Sequence, residues 1–228
     1  RVEPGKFSDF SRWELPLAIS ESTALKYERL DPDVRLMLKV RDDDAAAFEE
    51  LMSRYQSRLI TILQHVVGTR DQAEDLVQDV FLRVYRARKR YVPGAKFSTW
   101  LFTIANNVAR NSLRSSARRH EVNLGPTAGN ESSALTLDQL AMAASGQMPT
   151  RQFDRNEMAD IVRLAVTSLN ERQQMAVLLS KFEEMSYADI SQVMDLSPQA
   201  IKSLLSRARG KLRKILEPYL SHQQVPED

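Results

Sequence analysis

The chain has 228 residues, 32 basic against 30 acidic side chains, and no cysteine. That length allows one large domain or two small ones, and the missing thiols exclude disulfides and any thiolate metal site. Three scattered histidines, His65, His120 and His222, make no ligand cluster, so neither a metal nor another cofactor is expected.

No apolar run nears the ~20 residues needed to span a bilayer, and the first residues lack the apolar stretch of a signal peptide. A cytoplasmic protein without membrane insertion is expected. Glycine and proline are scarce, and apolar residues recur at helical rather than alternating spacing, which predicts an all-α protein. Charge is uneven: residues 71–119 hold ten Lys/Arg against four Asp/Glu, while 121–150 hold three acids and no base. Two basic blocks divided by an acidic stretch point to two separate contacts with a polyanion.

Residues 1–30 show little periodicity despite Phe7, Phe10, Trp13 and Leu15. They are expected to be a disordered N-terminal extension, with a segment that packs on a partner as the alternative. Asp31-Pro32 reads as a cap and first-turn proline opening a short helix through Val40. After Asp42-Asp43-Asp44 a helix is predicted over 45–67, its stripe running from Phe48 through Leu59 to Val66, with Gly68 as its stop.

The next predicted helix, DQAEDLVQDVFLRVYRARKRY, buries Ala73, Leu76, Val77, Val80, Phe81 and Val84. Its opposite side holds Asp75, Gln78, Asp79, Leu82 and Arg86. A lone exposed leucine is ordinary; set among carboxylates, it makes a docking patch for a basic protein surface plausible. A divalent-metal site from Asp71, Glu74, Asp75 and Asp79 is the weaker reading, since one helix would supply every ligand.

A loop, Tyr91-Val92-Pro93-Gly94-Ala95-Lys96, precedes a helix from about Ser98. Leu101, Ile104, Ala105 and Val108 face its core. Beside them runs a stripe of Trp100, Thr103, Asn107, Arg110, Asn111 and Arg114. An aromatic ring can stack on an unpaired base, amides can pair with base edges, and arginines neutralise phosphates. Tyr91 and Phe97, around the Pro-Gly turn, could hold a base drawn out of the duplex. Equally, Trp100 could be core and the asparagines merely tolerated.

Residues 120–152 turn to Gly, Pro, Ser, Thr and Ala, with a short possible helix near Leu137–Ala144, and read as a linker. As a flexible coil it spans ~30 Å, and fully stretched ~110 Å. Two DNA segments ~34–70 Å apart lie within that reach. Helical patterning resumes at Phe153, and Asn170 caps a helix over ERQQMAVLLSKF. Ser186 then caps a short helix, Asp195-Leu196 makes a turn, and Ser197-Pro198 opens a longer one. That last helix buries Ile201, Leu204, Leu205, Ala208, Leu212 and Ile215, and its other face carries Gln199, Lys202, Ser203, Ser206 and Arg207 among six cations and no carboxylate. Short helix, turn and longer basic helix make a helix-turn-helix, whose second helix enters a major groove. A two-helix hairpin with a solvated basic face is the plainer alternative.

DQAEDLVQDVFLRVYRA, FSTWLFTIANNVARNSLR and LNERQQMAVLLSKFEEMSYADISQVMDLSPQAIKSLLSRARGKL, in that order, resemble the extracytoplasmic-function (ECF) branch of the sigma-70 family of bacterial RNA polymerase. The resemblance covers residues 42–215, the linker matching in character only. It implies two small helical domains: residues 31–119 as sigma domain 2, 120–152 as the linker, and 153–228 as sigma domain 4, the helix-turn-helix domain. Asp75, Gln78, Asp79 and Leu82 would dock on the coiled coil of the polymerase β′ subunit, with the β subunit as a further contact. Asn107, Arg110, Asn111 and Arg114 would read the −10 element of promoter DNA, beside the flipped-base loop from Tyr91 to Phe97. Lys202, Ser203, Ser206 and Arg207 would contact the −35 element. An anti-sigma factor is a further implied partner.

Ala200 and Leu204 depart from the threonine and arginine frequent in that family, which leaves the −35 sequence preference open. The rival reading is a helix-turn-helix repressor or activator not integrated in polymerase; a nucleic-acid enzyme lacks a metal cluster, a histidine dyad and a phosphate-binding glycine loop.

Overall fold

A computed structural model of the chain describes residues 20–124 and 155–220, and every regular element among them is helical. None of these helices is long and apolar enough to cross a membrane. Helix α1 (Glu21–Leu30) begins where the Ser20 hydroxyl accepts the Thr23 N–H, 3.3 Å away. The expectation of a disordered extension through residue 30 is therefore corrected for this piece. Its sequence carries no apolar stripe and it buries no residue fully; its cap, Tyr27 packed on the core and Arg35 donating to the Glu28 and Arg29 carbonyls hold it. Residues 1–19 lie outside the described residues.

Helix α2 (Pro32–Arg41) starts as read, with Asp31 accepting the Asp33 N–H at 2.9 Å and proline in the first turn. The second carboxylate oxygen of Asp31 takes the Phe97 N–H at 2.8 Å, so one cap ties two distant helix starts. Asp44 caps α3 (Ala45–Val67), and Gly68 closes it at φ +95°, a conformation that favours glycine. Helix α4 (Arg70–Ala87) ends in a single 3₁₀ turn, Arg88–Arg90, and α5 covers Phe97–Leu124. Leu51, Leu59, Leu63, Val77, Val80, Leu101 and Phe102 fill the core among these helices.

The helix α5 takes the start of the stretch read as linker; residues 125–154, including the short helix expected near Leu137–Ala144, lie outside the described residues. The second unit comprises α6 (Arg155–Thr167), α7 (Glu171–Lys181), α8 (Tyr187–Met194) and α9 (Pro198–Leu220). Asn170 and Gln173 form a reciprocal capping box on α7. Asp195 turns the chain at φ +54° between α8 and α9, and the Ser197 hydroxyl accepts the Ala200 N–H. Met175, Leu178, Leu179, Ile190, Val193, Ile201, Leu205 and Ala208 are the core. The buried Gln174 amide donates to the carbonyls of Thr167 and Leu169, fastening the α6–α7 turn.

The two units touch directly. Helix α8 lies along α5, and α6 and α7 lie against α3, so one apolar core runs through both. Asn106, 4 % exposed, donates its amide to the Val193 carbonyl at 3.2 Å. Such a buried amide needs a partner, and among the described residues the second unit supplies it. Arg58 grips Glu183 with two guanidinium nitrogens. Burial pushes the Glu183 carboxyl up, and Arg58 pulls against that shift.

Candidate polymerase and nucleic-acid interface

Helix α4 faces the core with Ala73, Val77, Val80, Phe81 and Val84, which turns positions 75, 78 and 82 outward. Asp75 and Gln78 are exposed, and Leu82 is 53 % exposed. Asp79 is partly covered and pairs one turn on with Arg83, at 3.0 Å, so its charge is shared within the helix. A groove of about 750 Å³ between α3 and α4 adjoins the patch, lined by Phe48, Met52, Ile60, Phe81, Leu82 and Tyr85 among others. Leu82 itself lines this groove, which mixes these apolar side chains with Arg70, Glu74 and Gln78.

On α5 the predicted stripe divides by exposure. Asn111 and Arg114 stand in solvent; Trp100, Thr103, Asn107 and Arg110 are half-buried. Trp100 leans on Tyr91, ring centres 4.8 Å apart, and on Phe97 at 5.9 Å. Tyr91 and Phe97 themselves are core, 5 % and 0 % exposed, so their reading as rings that hold a base is corrected. Phe97 meets Tyr55 edge to face, and burial drives the Tyr91 hydroxyl upward in pKa. These rings support the loop and Trp100 from beneath. The sequence pattern missed this because an aromatic in a loop or at the first residue of a helix has no preceding turn to show which way it points.

Helix α9 presents Gln199, Lys202, Ser206 and Arg207 in the open, with Ser203 half-buried between them. They share one face because Ile201, Leu205 and Ala208 bury the other. The spacing, amide and hydroxyl donors flanked by cations, suits base edges and phosphates of a major groove. A shallow depression of about 270 Å³ on this face is lined by Gln199, Ala200, Ser203, Leu204 and Arg207, joined by Arg172 from α7.

Sequence reasoning did not single out Arg172, nor the residues of the joint. Asp189, on α8, accepts from Lys96 and Thr99 across the units and from Ser186 in its own cap. Asn106 sits within an apolar stretch of α5, and that misplaced amide was the one legible sign of a special contact.

The family model for Sigma-70 region 2 matches residues 51–119, and that for Sigma-70 region 4 matches residues 159–212. The RNA polymerase sigma factor CarQ of Myxococcus xanthus is 34 % identical over 79 % of this chain and 95 % of its own. The ECF RNA polymerase sigma-E factor of Haemophilus influenzae is 30 % identical over 82 % of this chain and 97 % of its own. Among solved structures, CnrH in complex with the cytosolic domain of CnrY shares the fold at TM-score 0.58 and 21 % identity, over 82 % of this chain and 99 % of that one. The sigma factor RpoE of Bartonella quintana, bound to the anti-sigma factor NepR, does so at 0.56 and 22 %, over 75 % and 96 %. The acidic helix α4 and the stripe of α5 fall inside the first matched region, and the helix-turn-helix inside the second. Likeness in sequence thus extends through both helical units in the right order, and on that ground the chain belongs to the ECF branch of the sigma-70 family of RNA polymerase sigma factors.

Proposed function

We propose that the chain works in the cytoplasm as a promoter-specificity subunit with no active site of its own, each of its exposed faces serving a separate contact. Asp75, Gln78, Asp79 and Leu82 dock on the β′ coiled coil of core polymerase. Asn107, Arg110, Asn111 and Arg114, with Trp100 at their head, take the −10 element as its strands part. Each base stacked or paired there contributes roughly 1–3 kcal/mol, which offsets the few kcal/mol that unstacking costs. Gln199, Lys202, Ser203, Ser206 and Arg207 read the −35 element in the major groove. Residues 120–152 connect the two readers along the polymerase, in reach of its β subunit.

The observation that carries this reading is Leu82, 53 % exposed among Asp75, Gln78 and Asp79 on a helix otherwise amphipathic. A repressor acting on duplex DNA alone has no need of that acidic, leucine-centred face. The two solved relatives are each bound to another protein, one of them an anti-sigma factor; an anti-sigma factor that masks these same faces is the regulator we assign to this chain. Run-off transcription with purified core polymerase on a promoter library tests the function. New start sites that depend on the chain are expected. A library transcribed identically with and without it overturns the assignment.

A further inference from the structure

The first turn of α5 carries Trp100, the ring at the head of the −10 stripe, whose backbone N–H bonds to the Lys96 carbonyl at 3.2 Å. Lys96 thus stands at the cap position, yet a lysine side chain has no acceptor for the unpaired N–H groups of a helix start. Its ammonium turns to Asp189 instead. The acceptor that α5 lacks locally comes from 66 residues away: Asp31 Oδ2 takes the Phe97 N–H at 2.8 Å, while Oδ1 caps α2. A carboxylate also suits that end of the helix dipole. Asp31 is itself braced, because Asp33, two residues on, accepts from Arg54 and from the Tyr55 hydroxyl on α3. Tyr55 meets Phe97 with ring centres 5.3 Å apart, and Phe97 meets Trp100 at 5.9 Å. The Asp31 charge reaches the far end of the loop as well, adding to the burial that drives the Tyr91 hydroxyl upward in pKa. Both ends of the loop over residues 91–96 therefore answer to one carboxylate at the start of another helix.

We propose that Asp31 is a positioning residue for strand opening: it fixes the first turn of α5, and with it Trp100 and the loop before it, in the orientation that receives an unpaired base. The inference rests on the assignment of α5 to the −10 element. Asp31 acts through the Phe97 N–H and touches no nucleic acid itself. A ring and a base must meet face to face, so a turn that rocks spends part of its time unable to stack. Losing the Phe97 bond therefore slows capture of the opened strand and leaves the contacts to polymerase and to closed duplex as they were.

Asparagine and serine both cap a helix well, but neither has a second oxygen for the Phe97 N–H. Asp31→Asn and Asp31→Ser thus remove one bond and keep the other. Each full-length variant, assembled with core polymerase, is mixed in excess with a promoter from the transcription library that carries a fluorescent adenine analogue in its −10 element. The first-order rate of the fluorescence rise reads opening, and its amplitude reads the fraction of folded protein. Because the rate comes from the folded fraction alone, partial unfolding of a variant leaves the test intact. Expected for both variants is opening several-fold slower than wild type, with polymerase recovery and affinity for closed duplex unchanged. A merely structural role lowers the amplitude and leaves the rate constant at the wild-type value. That result, or an unchanged rate at full amplitude, overturns this inference alone. A wild-type assembly that opens no promoter overturns the assignment of α5, and this inference with it.

Discussion

Lys96 Nζ stands 3.2 Å from Asp189 Oδ2, although 93 residues separate the two in the chain. The other carboxylate oxygen of Asp189 accepts the Thr99 hydroxyl, also at 3.2 Å, and Ser186 donates to Oδ2 at 2.7 Å. One carboxylate therefore joins the loop before α5, the first turn of α5 and the cap of α8. Replacement by asparagine keeps the shape and removes the charge. Asp189→Asn is expected to lower unfolding stability by about 1–3 kcal/mol, read as a shift in urea midpoint. No shift would mean that water serves Asp189 as well as its partners do.

Acidity should erase that difference. Burial by itself would raise the Asp189 carboxyl, but Ser186, Lys96 and Thr99 outweigh it and hold it below the ordinary 3.8. A lowered carboxylate contributes stability that is fully present above its unfolded pKa and is lost as pH falls through the folded one. The gap between wild type and Asp189→Asn should thus be constant from pH 5 to 7 and narrow below pH 3.8. Paired urea titrations at each pH would show it; a gap that widens in acid contradicts the assignment.

Leu82→Arg tests the docking face. Leu82 is exposed, so the folding cost should stay within about 0.5 kcal/mol. Recovery of core polymerase on the immobilised chain should fall sharply, with an unchanged thermal midpoint. Asp79→Arg should do the same, losing in addition its pair with Arg83, a matter of a few tenths of a kcal/mol. Equal recovery of polymerase by all three proteins would remove α4 from the interface.

The two kinds of residue once grouped around the −10 element should separate cleanly. Asn111→Ala and Arg114→Ala lie in solvent and are expected to reduce transcripts from a cognate promoter while polymerase binding and stability persist. Phe97→Ala empties a fully buried site and should cost about 3–5 kcal/mol of stability. Calorimetry alongside the transcription assay distinguishes them. A Phe97→Ala protein of normal stability but poor melting would return that ring to the list of base contacts.

Helix positions were legible wherever local chemistry marks them. Asp44, Gly68, Asn170 and Ser186 sit at the ends they were read to mark, because caps and stops act within a turn. The outward position of Leu82 followed likewise from a clean buried stripe on one helix. Tyr91 and Phe97 were not legible, since the burial of a ring in or at the end of a loop depends on what folds over it. The joint was hidden for the same reason: Arg58 and Glu183, 125 apart in sequence, carry no mark of each other. Helix α1 escaped notice because it carries no apolar stripe, only Tyr27 leaning on the core.

The seam between α5 and α8 has a bearing on how DNA could enter. Thr99 and Asn106, which bond to α8, stand on one line of α5 with Thr103 and Arg110, four and eleven residues beyond Thr99. On the function proposed above, the neighbouring helix therefore covers one flank of the α5 stripe that would receive an opened strand. A nucleic-acid chain seeking Arg110 from that side meets protein first, and in this arrangement Asn111 and Arg114, farther round the helix and already in water, are the nearer landing.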